Sequence, residues 1–218
     1  YMALFYLNSF CAERYNNLAD KKYIYELGHL FKHAFSKDAV SLGTFHYPDF
    51  LHYTKIFIRA GDLETADEFI KKYSHRIAEE HKEDVFNHIS ALREYSLGNF
   101  EKALYNISKV NFPSFILKLQ VKLIHLQLLI ETKNYEEARA AIHSFKQFLS
   151  RESTINNSYK TIIRKFLILC GRLINLYEEN SVKERHKAAS DFRLSAEKLN
   201  SNLFGVKLWL LERVKEIK

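Results

Sequence analysis

Apolar residues recur every three or four positions along most of the chain. Phe50, Tyr53, Phe57 and Ala60 form one stripe, Val85, Ile89, Leu92 and Tyr95 a second, and Leu119, Leu123, Leu126 and Ile130 a third. This spacing matches a helix that buries one face. The first stripe is followed by Ala66, Ile70 and Tyr73, and the third by Ala138, Ile142, Phe145 and Leu149. The pattern predicts helical hairpins over 48–149. Residues 1–15 and 21–35 read as a further pair, apolar at Leu4, Leu7, Cys11, Ile24, Leu27, Leu30 and Phe31. After a polar loop at 150–158, a strongly apolar helix is expected over 159–177. An amphipathic basic helix follows over 182–199, and a closing helix over 204–217 carries Leu208, Trp209 and Leu211.

Three turns share a template: "GDLETADEF" from Gly61, "GNFEKALYN" from Gly98 and "KNYEEARAA" from Lys133. Ala66 and Ala103 are 37 residues apart, and Ala103 and Ala138 are 35 apart, a period that points to stacked helical hairpins. Gly61, Gly98 or Lys133 is expected to end one helix, and the following Asp or Asn to cap the next. Glu64, Glu101 and Glu136 then fall in the first turn, where negative charge favours the helix dipole. Leu63, Phe100 and Tyr135 plug the turn. At Ala66, Ala103 and Ala138 a small side chain lets paired helices approach closely. Pro48 and Pro113 sit just ahead of lead-in helices, where a missing amide hydrogen costs nothing.

The segment Gly98-Asn-Phe-Glu-Lys-Ala103 resembles the turn within a tetratricopeptide repeat, and all three turns match it except for Lys133 at the Gly position. The resemblance implies an all-α, tetratricopeptide-like α-solenoid of stacked antiparallel hairpins. Three repeats would occupy 48–149, with an N-terminal helical pair over 1–47 and basic capping helices over 150–218. The order of "TFHYPDFLHYTKIFIRAGDLETADEFIKKY", "SLGNFEKALYNISKVNF" and "NYEEARAAIHSFKQFLSR" also resembles the C-terminal part of an uncharacterised protein family of Bacteroidetes. That second resemblance implies a bacterial, cytoplasmic setting and a longer parent chain, and an opening Tyr that leads directly into helical pattern also suggests a longer parent chain.

Some tetratricopeptide proteins hold acidic C-terminal peptides in a carboxylate clamp. The corresponding positions here are Leu51, Lys55, Ile89, Gln120 and Ile124, of which only one is basic, so that mode is not expected. The groove implied by the resemblance instead combines Leu51, Lys55, Ile58, His88, Leu92, Tyr95, Leu123, Gln127 and Ile130. That set suits an apolar or helical peptide from a protein partner, or the protein's own N-terminal region. The competing expectation is that several of these residues pack against upstream repeats or the chain's own terminal helices.

Composition narrows the picture. Six Gly and two Pro in 218 residues leave little turn chemistry for sheets. Two Cys, far apart and without a paired His or Cys, suggest buried thiols in a reducing compartment. No apolar run approaches the length that spans a bilayer, so no membrane role is expected. Charge is uneven: 1–150 carries 19 basic and 18 acidic side chains, whereas 151–218 carries 14 and 8. Lys160, Arg164, Lys165, Arg172, Lys183, Arg185, Lys187, Arg193 and Lys198 are therefore candidates for a basic patch, with nucleic acid as the alternative partner.

Catalytic and metal constellations are not evident. His29 and His33 share a helix face at metal-ligand spacing, but Leu30 stands where a zinc protease carries its Glu, and no third ligand suggests itself. His75, His81 and His88 read as surface or groove residues, and paired acids such as Glu79/Glu80 and Glu178/Glu179 as solvated faces. No Gly-rich phosphate loop or nucleophile elbow occurs. The expectation is a non-enzymatic interaction scaffold without a cofactor or metal, any chemistry lying upstream.

Overall fold

The structure is a computed structural model that describes residues 2–37, 46–153 and 156–217, with side chains from Tyr6 onward. The expectations for Tyr1 and the Leu4 side chain lie outside this range. The described residues form eleven α-helices and no strand. The helices are α1 (Met2–Leu18), α2 (Lys22–Ser36), α3 (Tyr47–Arg59), α4 (Leu63–Tyr73), α5 (Glu79–Ser96), α6 (Phe100–Ser108), α7 (Phe115–Glu131), α8 (Tyr135–Arg151), α9 (Asn157–Glu178), α10 (Val182–Glu197) and α11 (Val206–Lys215). The predicted loop at 150–158 is shorter than expected, because α8 continues to Arg151 and α9 begins at Asn157.

Two compact units divide the chain: residues 1–13 with 21–132, and residues 14–20 with 133–218. This division follows a different line from the sequence segments, cutting at the third templated turn.

In the first unit, α3 packs on α2, α4 and α5, while α6 packs on α5 and α7. The turns explain the pairing. The Gly61 amide donates to Ile58 O at 3.0 Å and the Asp62 amide to Phe57 O at 3.0 Å. The same two bonds recur from Gly98 to Tyr95 O (3.1 Å) and from Asn99 to Glu94 O (2.9 Å). This is the Schellman closure of a helix end, which needs one left-handed residue. Gly61 (φ 76°) and Gly98 (φ 78°) supply it. Asp62 then caps α4, its carboxylate accepting from the Thr65 amide at 3.1 Å. Asn99 makes no such cap: its side chain donates to Glu94 Oε2 at 2.7 Å.

Small residues sit where helices meet. Ala66, Ala103 and Ala138 are fully buried, each donating its amide hydrogen to the carbonyl of the residue that opens its helix. Gly28 on α2 adds a close approach with no sequence signal: a Cβ built there would lie 2.6 Å from Ala60 Cβ. Phe69 anchors an aromatic cluster with Phe35, Phe50, Tyr53, Phe57 and Tyr73, ring centroids 4.9–5.8 Å apart.

In the second unit, α9 packs on α8, α10 and α11, with Ile163, Phe166, Leu167, Cys170, Leu173 and Ile174 in the core. The turn residue Lys133 takes φ 59°, the conformation glycine has in the other two turns. Asn134 provides no side-chain cap for α8. Asn202 is fully buried. It donates its backbone amide to Asn16 O (2.6 Å) and its side-chain amide to Tyr15 O (3.4 Å), and accepts from the Leu208 amide (2.8 Å). Both cysteines are free and buried.

Candidate functional site

The groove residues all lie on α3, α5 and α7 of the first unit. The resemblance to the repeat places them there, and the apolar periodicity of the same helices decides their fate. Leu51, Ile58, His88, Leu92, Leu123 and Ile130 are at most 7% exposed. These six line the interior rather than an open groove, because a helical apolar stripe marks burial without specifying what covers it. Lys55, Tyr95 and Gln127 remain half-buried over that apolar floor.

Lys55 is the chemically distinctive member. Its Nζ donates to Gln120 Oε1 at 3.0 Å, tying α3 to α7. These are two of the five clamp positions. No carboxylate pairs with Lys55 among the described residues, which is unusual for a buried ammonium. Burial, and secondarily the Arg59 guanidinium one helical turn away, lowers its pKa to about 7.

His88 projects from α5 into the same electropositive surroundings. Its ring lies 5.5 Å from that of Phe112, and its Nδ1 finds no hydrogen-bond partner among the described residues. Burial, then Lys55 and Arg59, hold its pKa down at about 3, so the imidazole is neutral across the physiological range. His88, expected at a groove surface, is instead enclosed, and nothing adjacent to it in the sequence signals the contact with Phe112. Further along the same helices, Tyr95 donates its hydroxyl to Glu131 Oε1 at 3.3 Å.

The basic candidates belong to the second unit and contrast with this site. Arg164, Lys165, Lys183, Lys187, Arg193 and Lys198 are exposed, whereas Lys160 and Arg185 are half-buried. Arg172 is engaged, donating to Ser195 Oγ at 2.9 Å with its guanidinium over the Phe192 ring. Arg193 pairs with Glu197 at 3.0 Å. On α2, His29 and His33 are both exposed. Among the described residues no group of three or more His, Cys, Asp or Glu is placed to hold a metal, and no helix is long and apolar enough to cross a membrane.

Compared with protein-family models, curated proteins and solved structures, the chain gives no match.

Proposed function

We propose that this chain is a tetratricopeptide-like helical-repeat module that holds a protein or peptide partner, as the C-terminal part of a larger cytoplasmic bacterial protein. Repeated left-handed turns at Gly61, Gly98 and Lys133, each followed by a fully buried Ala, support the stacking of hairpins. Stacked hairpins leave one row of helices facing a shared surface, which such folds use for binding.

The observation that carries the reading is the set of half-buried residues Lys55, Tyr95 and Gln127 on three successive lead-in helices above a closed apolar floor. A partner crossing that row exchanges hydrogen bonds with side chains whose stems are already ordered, which lowers the entropy lost on binding. The buried residues beneath act as a platform. The row suits an extended or helical peptide whose polar groups meet Tyr95 and Gln127.

A photo-crosslinking amino acid placed at Tyr95 or Gln127 in the intact protein tests this in its host. We expect adducts to one defined protein, diminished when Lys55 is changed to Ala. Adduct yield equal to that from a crosslinker at exposed Ser108, or unchanged by Lys55→Ala, would refute the proposal.

A further inference from the structure

We propose that the outer face of α9 is a second docking surface, built for an acidic amphipathic helix. Residues 153–177 contain no Asp or Glu. Within that stretch Thr161, Arg164, Lys165, Ile168, Arg172 and Asn175 are exposed. Arg164, Ile168 and Arg172 follow at intervals of four, so they rise along one side of the helix, with Lys165 beside them. The stripe is cationic at both ends, with Arg172 already bonded to Ser195, and apolar in the middle, where Ile168 is 56% exposed.

Two features select the kind of partner. Arg164 and Lys165 make no ion pair among the described residues, so their charge is available to an incoming anion. A single-sign face attracts an oppositely charged partner and speeds encounter. Ile168 then discriminates between anions. A phosphate backbone gains nothing from an isoleucine between its contacts, whereas a helix with acids at intervals of four and a Leu between them pairs with the cations and covers the side chain together. The neighbouring α10 carries Glu184, Asp191 and Glu197 among its cations. That mixture disfavours a continuous phosphate track and leaves α9 as the coherent surface. The surface uses none of the residues of the α3, α5 and α7 row, so either proposal can fail without the other.

The test is fluorescence anisotropy on the full chain with a labelled helical peptide of about 18 residues, whose ~27 Å length spans the stripe. The peptide bears Glu at intervals of four with Leu on the same side. Controls replace Glu by Gln or move Leu to the opposite side, and parallel titrations use duplex DNA and phosphatidylserine vesicles. We expect Arg164→Glu with Lys165→Glu to weaken peptide binding at least about tenfold, and Ile168→Ser to weaken it about threefold or more. The melting temperature should stay unchanged, since all three side chains are exposed. Binding that survives Ile168→Ser, tighter binding to DNA or vesicles than to the peptide, or no binding of the peptide would each overturn the assignment.

Discussion

Lys55 on α3 and Lys165 on α9 are the same residue in opposite settings. The segment around Lys55 is nearly charge-balanced, and the segment around Lys165 holds most of the +7 net charge. Yet the lysine whose chemistry is altered lies in the balanced segment. Lys165 is solvated, whereas Lys55 is enclosed with Gln120 as its hydrogen-bond acceptor and Arg59 and His88 as neighbours. Local charge density locates attraction for a partner, and enclosure locates a shifted proton equilibrium. The two need not coincide.

The largest consequence of the contrast concerns stability. A lysine with a folded pKa near 7 against an ordinary 10.5 binds fewer protons when folded than when unfolded between those values. Stability therefore rises with pH across about 7 to 10.5, and the full penalty is present below 7. Replacing Lys55 by Met should stabilise the protein by about 1–4 kcal/mol at pH 6, with the gain shrinking toward pH 10.5. Denaturant melts at several pH values check it, and a flat or inverted difference would show that Lys55 is solvated like Lys165.

His88 gives a smaller effect at the acid end. Its folded pKa of about 3 lies below the ordinary 6.5, so the unfolded chain takes up the proton first and stability falls as pH drops from about 6.5 to 3. His88→Leu removes both that loss and the unpartnered Nδ1. We expect a gain of about 1–3 kcal/mol near pH 4 and a smaller one at pH 7. Acid titration of the far-UV circular dichroism signal measures the difference.

Lys133 sharpens the comparison from the side of the backbone, since it is exposed like Lys165 yet held at φ 59°. Lys133→Gly relieves left-handed strain while adding unfolded-state entropy, for a net gain of about 0.5–1 kcal/mol. It should appear as a higher denaturation midpoint at constant slope. Smallest of all, Arg164→Gln with Lys165→Gln should change stability by less than about 0.5 kcal/mol at any pH between 5 and 9. A larger effect would mean that the α9 face is structurally engaged.

Much of the helical framework was legible because its signals are local. Pro48 falls at the start of α3, Gly61 and Gly98 take the left-handed φ that glycine favours, and the three alanines are fully buried, all as the residue types suggest; Lys133 takes that φ against its residue type. The sequence was silent where the determinant lies in a neighbour. Nothing around Gly28 announces that Ala60 will press against it, since an isolated helical Gly has no periodic signature. Lys55 and His88 looked like groove residues because periodicity assigns a side without saying whether that side stays open. Among the basic candidates, spacing could not tell that Arg172 would bond Ser195 or that Arg185 would be half-buried.

The buried Asn202 ties distant parts of the sequence, donating across 186 positions to Asn16 and 187 to Tyr15. During refolding the carbonyls of Tyr15 and Asn16 must stay hydrated until the distant Asn202 reaches them. Closure of such a distant contact is slow beside the formation of any single hairpin. On refolding, the end of α1 should thus be among the last parts to acquire protection from hydrogen exchange.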